Sequence, residues 1–273
     1  ESLKNSTQST TTTIKDIFST IKEDLKDLEK CLYKYLPPLN KTSQNILEYI
    51  FNAGGKRIRP AVFFLVSKMF TKKSEHSMAM AVASEYVHTA SLLHDDVIDN
   101  SSLRRNKPTA HKIWGDESAV LVGDLIYARA SEMMADTEQL EIIKTFAQTI
   151  RKMSEGELIQ LEHIFNIEQP KKTYLEIIKA KTGSLLGSSF KTAAILGKQD
   201  KASCETLEKI GQLLGISFQI IDDTLDFSTP AQIFGKKRYH DINEGKITLP
   251  LIILRENANK TELETLKKII KNW

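Results

Sequence analysis

The stretch SLLHDDVIDN, residues 91–100, sets Asp95, Asp96 and Asp99 into an otherwise apolar run with no Gly or Pro to break it. Further along, FQIIDDTLDF repeats the arrangement with Asp222, Asp223 and Asp226. On a helix, residues i and i+4 share a face one turn apart, so Asp95 and Asp99 point the same way while Asp96 sits about 100° round the axis. Two carboxylates held together in apolar surroundings repel, and one must protonate unless a cation compensates the charge. Taken alone, the first cluster is equally well a solvated helix end, since Asn100, Ser101 and Ser102 follow it. The second cluster, with identical spacing near the end of another long apolar segment, argues against two surface accidents. If the two helices face each other across a cavity, their carboxylates form a cage of hard oxygen ligands. Such a cage suits Mg²⁺, which completes its octahedron with water and phosphate oxygens. The chemistry expected is a phosphorylated substrate clamped by metal ions.

Basic residues stand near these clusters. GGKRIRP at 54–60 carries Lys56, Arg57 and Arg59, and SSLRRNKP carries Arg104 and Arg105 just after the first cluster. AKTGSLL with Lys181 and FGKKRYHDINEGKITLP with Lys236 and Lys246 flank the second. Each alone reads as a solvated charge run. Beside metal-bound phosphates they become a second anion site, where Arg forks make bidentate hydrogen bonds and Lys supplies a point charge. His88, seven residues before Asp95, is by itself an ordinary core histidine, and so are His76, His94, His111, His163 and His240.

The elements that must position these groups are helical. From Ile14 the apolar residues Ile17, Phe18, Ile21, Leu25, Leu28, Leu32 and Leu36 keep one helical face until Pro37-Pro38 stops it. The same period predicts helices over about 42–52, 59–71, 76–100, 117–135, 138–156, 171–197, 205–228 and 246–256, with breaks at Pro108, Gly115, Pro170, Pro230 and Gly235. No alternating strand stands out. The expectation is an all-α, single-domain bundle of long helices around a deep central cavity, residues 14–273, after a polar Ser/Thr-rich lead-in over 1–13 that suits disorder.

Composition narrows the partners. A formal net charge of +3, from 38 Lys+Arg against 35 Asp+Glu scattered along 273 residues, gives no case for nucleic acid. The two cysteines, Cys31 and Cys204, lack metal-site or disulfide spacing and read as thiols of a reducing compartment. No apolar run approaches the roughly 20 residues of a transmembrane span, and the start lacks a signal-peptide pattern; the expected location is cytoplasmic.

The order GGKRxRP, DDxxD, RR, KT, FQxxDDxLD and GKxTLP, running from about residue 42 to 256, resembles the trans-isoprenyl diphosphate synthases, and within them the long-chain polyprenyl members of the octaprenyl type. The resemblance implies the isoprenoid synthase fold and a prenyltransferase that adds isopentenyl diphosphate head-to-tail onto an allylic diphosphate such as farnesyl diphosphate. It implies roughly three Mg²⁺ ions, some arriving with the diphosphate. Their principal ligands would be Asp95, Asp99 and Asp222, with Asp96, Asp223 and Asp226 in support. Lys56, Arg59, His88 and Arg105 match the isopentenyl diphosphate site. Arg104, Lys181, Thr182, Gln219, Lys236 and Lys246 match contacts to the allylic diphosphate or the departing pyrophosphate, which takes the final proton. A homodimer is also implied. Relatives often continue past the last motif with further helices, so a longer C-terminal part is expected.

Product length is read from the turns before Asp95. Ser91 and Ala90, four and five positions earlier, are expected to face the growing chain, and both are small where short-chain relatives carry an aromatic floor. Val87, Ala83 and Met80 lie further down, and at about 5.4 Å per turn they leave room well beyond the farnesyl stage. Phe146, on the 138–156 helix, is the expected floor. The expected product is a long all-trans chain rather than a geranylgeranyl or farnesyl one. A terpene cyclase would lack the second aspartate cluster and GGKRIRP. A non-catalytic subunit of a heteromeric synthase would have lost one or both clusters.

Overall fold

A computed structural model of the chain describes residues 13–70, 74–228 and 239–272. Apart from Thr13, the polar lead-in lies outside the described residues.

The predicted first helix is two: α1, Ile14–Ser19, and α2, Lys22–Lys34. Thr13 and Asp16 close α1 with a capping box. The hydroxyls of Ser19 and Thr20 bond back to the carbonyls of Asp16 and Ile17, which competes with continuing the ladder. The next helices follow the apolar period closely: α3, Lys41–Asn52, capped by the Asn40 side chain; α4, Ile58–Ser67; and α5, Ser77–Ile98. A two-residue-per-strand hairpin follows, β1 Leu103–Arg104 paired antiparallel with β2 Lys107–Pro108. Strands this short leave no alternation to read. Then come α6, Ala110–Trp114, α7, Asp116–Ala135, and α8, Leu140–Glu162.

The long segment predicted over 171–197 divides into α9, Lys171–Ile178, a single π-helical turn, Lys179–Gly183, and α10, Ser184–Leu196. Helices α11, Lys201–Ser228, α12, His240–Asn243, α13, Leu249–Asn257, and α14, Lys260–Asn272, complete the described chain. The π turn carries Lys181 and Thr182, and such turns commonly mark functional positions.

Helix α5 is the centre of the main core. Met80, Ala81, Val82, Ala83, Tyr86, Val87, Ala90 and Leu93 are all buried, so the helix is enclosed on several sides, and its many small residues let neighbours come close. The π turn and α11 also pack closely: a Cβ on Gly215 would lie 2.7 Å from the Gly183 Cα. That approach seats the π turn directly against the helix bearing the second aspartate cluster. A second cluster, including Ile167, Tyr174, Ile178, Ile247 and Leu251, holds the segment after α12 against α9. Among the described residues no helix is long and apolar enough to cross a membrane.

One buried bond gives a direct test of this packing. Tyr86 is fully buried and its hydroxyl donates to the Leu32 carbonyl at 2.6 Å, tying α5 to α2. Tyr86→Phe keeps the ring and strands that carbonyl, so it is expected to cost about 1–2 kcal/mol in urea unfolding, with the slope unchanged.

Candidate active site

A cavity of about 670 Å³ opens where the C-terminal part of α5 faces α11, and both aspartate clusters reach it: Asp95 and Asp99 from one wall, Asp222 and Asp223 from the other. His88, Ser91, Leu92, Asp95 and Asp99 also line it, and their spacing is that of one helical face. Burial raises the Asp95 carboxyl to about 6; Lys181 pulls it down while Glu157 and Asp99 push it up further. A carboxylate in that position is completed by a cation, and the donor set is all hard oxygen. Even so, among the described residues no three His, Cys, Asp or Glu side chains stand together in a way that could hold an ion. The cage expected from sequence is two separated walls, which fits an ion that takes its remaining ligands from water and phosphate.

Two of the six aspartates do not line this cavity. Asp96 is buried and turned aside, with Arg104 making a bidentate fork onto it at 2.8–3.0 Å. The 100° offset from Asp95 sends it under the hairpin instead of toward an ion. Asp226 is buried and accepts the backbone N–H groups of His240 and Asp241, at 3.1 and 3.2 Å, so it anchors the start of α12. Asp223 lines the cavity with both oxygens engaged, accepting from Tyr174 Oη and Gln219 Nε2 at 2.7 Å each. Burial raises it, and those two hydrogen bonds oppose the rise. The Gln219 amide so fixed accepts from Thr182 Oγ1 at 2.8 Å, which orients both groups named from sequence.

At the other end the wall is cationic. Lys56, Arg59, His88, Arg104 and Arg105 all line the cavity. Arg57 does too, but its guanidinium is taken by Glu29 at 2.7 and 3.0 Å and by Glu85 at 2.8 Å, which holds it charged despite burial. Gly55 makes this crowding possible, since a Cβ there would come within 3.2 Å of Arg57 Nη1 and 3.3 Å of Arg105 Nη2. Among the described residues the Arg59 Nε is buried without a hydrogen-bond partner, and burial lowers this guanidinium to about 10. An orphaned buried cation is costly unless an anion pairs with it. His88 is driven well below its ordinary range, first by burial and then by the surrounding arginines, so it stands neutral as a hydrogen-bonding group. The Lys56 ammonium lies 5.4 Å from the centre of the Phe218 ring.

Lys181 and Lys246 are each held by a carboxylate that sequence reasoning missed, Glu157 for the first and Glu244 for the second. Lys181 pairs with Glu157 of α8. Lys246 Nζ lies 2.7 Å from both Asp99 and Glu244, which keeps it protonated against burial. Glu244 also takes Ser101 Oγ and His240 Nε2 at 3.0 Å each, so His240 belongs to the site as well. Faint signals existed: Glu244 stands two residues before Lys246, and Tyr174 stands two helical turns before Lys181. Glu157 and Glu85 carried none, because their partners are remote in sequence. Lys236 lies outside the described residues.

The chain-length positions divide. Ser91 lines the cavity, its hydroxyl donating to the His88 carbonyl at 2.8 Å. Ala90, five residues before Asp95 and so about 140° round the helix, does not; it is fully buried in the main core. Val87 and Phe146 are likewise core residues, 1 % exposed each and away from this cavity's lining, so the floor assigned to Phe146 is not formed there. Leu92 of α5 and Leu186 of α10 are among the apolar groups that do line it.

Comparison with known proteins gives a consistent picture. The polyprenyl synthetase family model matches residues 40–273. The octaprenyl diphosphate synthase of Haemophilus influenzae is 35 % identical over 263 residues, covering 91 % of this chain and 80 % of the relative. The chloroplastic solanesyl-diphosphate synthase 2 of Oryza sativa subsp. japonica is 37 % identical over 254 residues; the match covers 90 % of this chain and 63 % of the relative, less than two thirds of its length. Among solved structures, a polyprenyl synthase from Caulobacter crescentus complexed with calcium and isoprenyl diphosphate superposes with a TM-score of 0.84 at 31 % identity, covering 95 % of this chain and 84 % of the other. The fold is that of the isoprenoid synthases.

Proposed function

Because the chain belongs to the polyprenyl synthetase family, as a prenyltransferase of the long-chain trans-polyprenyl diphosphate synthase kind, we propose that it condenses isopentenyl diphosphate repeatedly onto farnesyl diphosphate. Residues 14–273 would act as one catalytic domain, in a homodimer, in a reducing compartment such as the cytoplasm. The observation that carries the reading is a single cavity with carboxylates on two facing walls and, on its cationic wall, Arg59, whose buried Nε has no hydrogen-bond partner among the described residues.

Divalent-metal dependence goes with the family, and the ion in this reading is Mg²⁺, held by Asp95, Asp99 and Asp222; when bound it stabilises the negative charge developing on the leaving pyrophosphate. Lys181 and Lys246 add fixed positive charge beside that group, and Thr182 and Gln219 offer oriented dipoles to it. Arg59, Lys56, Arg105 and neutral His88 hold the isopentenyl diphosphate, which places its double bond beside the allylic carbon. Leu92, Ile177, Ile178, Leu186 and Phe218 keep water from the carbocation. No side chain stands out as the base, so the last proton goes to the released pyrophosphate.

Incubation with farnesyl diphosphate, isopentenyl diphosphate and Mg²⁺ is expected to give long all-trans products, and EDTA is expected to stop it. No consumption of isopentenyl diphosphate overturns the reading, and farnesyl or geranylgeranyl products alone overturn its long-chain part. A single-chain mass in solution at micromolar concentration would remove the homodimer.

The two anion sites make a further prediction. Lys56→Ala and Arg59→Ala are expected to raise the KM for isopentenyl diphosphate by about 10- to 100-fold, the loss of one charged hydrogen bond, with little change for the allylic primer. Equal weakening for both substrates would show the sites to be exchanged or shared.

A further inference from the structure

The hairpin that carries Arg104 and Arg105 is too short to hold itself. Its strands have two residues each, and its turn places Arg105 and Asn106 at φ of 52° and 62°. Asn tolerates that left-handed conformation, but Arg does so at a cost. The strain aims the Arg105 guanidinium into the cavity, so something outside the hairpin must hold the turn there. Arg104 does part of this through Asp96. The root of the hairpin is held elsewhere.

That root is the Ser101 carbonyl, which accepts from Thr109 Oγ1 at 2.7 Å and faces His111 Nε2 at 2.7 Å. His111 is buried, 4 % exposed, at the first turn of α6. Its other nitrogen, Nδ1, lies 2.8 Å from Asp116 Oδ1 of α7. A carbonyl oxygen can only accept, so Nε2 must carry a proton. The Asp116 carboxylate, 68 % exposed, faces Nδ1 from the opposite side, so the ring is gripped at both nitrogens. Neighbouring Lys112 is turned away to Asn100 Oδ1 at 2.6 Å.

We infer that His111 is a positioning residue for the condensation: its ring, engaged at both nitrogens, clamps the root of the hairpin to α7 and so presents Arg104 and Arg105 to the diphosphate. Its link to catalysis rests on the function proposed above; the clamp itself does not. The carboxylate partner on Nδ1 and the carbonyl on Nε2 together fix the orientation of the ring. No other part of the mechanism uses His111, and it touches no lining carboxylate of either cluster.

The test uses the intact protein beside His111→Gln and Asp116→Asn, the second an exposed change that keeps the ring and its packing. Amide hydrogen exchange is expected to speed up over residues 101–109 in both variants and to stay unchanged in α5 and α11. Asp116→Asn is expected to raise the KM for isopentenyl diphosphate about fivefold, with kcat changed less than about twofold. Unchanged exchange over 101–109 in both variants overturns the inference while leaving the activity standing. Faster exchange with KM unchanged overturns the link to the substrate site. A protein that never consumes isopentenyl diphosphate defeats the proposed function, and the exchange still reads the clamp.

Discussion

Asp95→Ala and Asp222→Ala are each expected to lower kcat by roughly three to five orders of magnitude, because each removes a ligand of the ion that stabilises the leaving group. The fold is expected to be unaffected. Asp95 carries a burial cost that the attraction of Lys181 only partly offsets, so its deletion removes a desolvated carboxyl and not a packing group. The thermal midpoint should stay level or rise, the pattern of a residue kept for activity at the expense of stability. Turnover and unfolding measured on the same preparations decide it: near-normal rates that still require Mg²⁺ would remove these carboxylates from the metal site. By contrast, Asp96→Ala should act through Arg104, the partner it holds, and not through the metal.

Ser91→Phe is expected to shift the product from a long chain to about three or four isoprene units without stopping catalysis. Ser91 lines the cavity about one turn, some 5.4 Å along the axis, below Asp95, and its small side chain leaves that wall open. A phenyl ring there blocks the path of the growing chain and leaves the carboxylates in place. Ala90→Phe separates two accounts. Ala90 is 0 % exposed within the core, so a ring there overpacks it, costing about 1–3 kcal/mol or more, and acts on stability before product length. Chromatography of dephosphorylated products, alongside thermal unfolding, resolves the pair. Unchanged long chains from Ser91→Phe would sink the assignment of this wall to the elongating chain.

What was legible without coordinates followed from periodicity. The 3.6-residue apolar repeat marked α3, α5 and α11 to within a few residues, because a helix needs only its own sequence to show which face is buried. The hairpin at 103–108 escaped because two residues per strand carry no repeat, and the division of α1 from α2 escaped because hydroxyls bonding their own backbone leave the apolar period intact. His111 read as an ordinary core histidine, since its two partners lie in other segments.

The sequence by itself determined the helical class, the two carboxylate clusters of matched spacing, and the kind of chemistry such clusters serve. These are local properties: residue type, spacing of i and i+4, and the stops made by proline and glycine. Only the tertiary structure decided which carboxylates face the cavity and which are spent on structure. Asp96 and Asp99 are three residues apart, yet one is forked by Arg104 under the hairpin and the other meets Lys246 across the cavity, 147 residues away in sequence. Rotation about a helix axis is set by packing against the neighbouring helices, and the partners of buried charges are set by chain segments distant in sequence. Neither quantity is written in the spacing of the residues themselves.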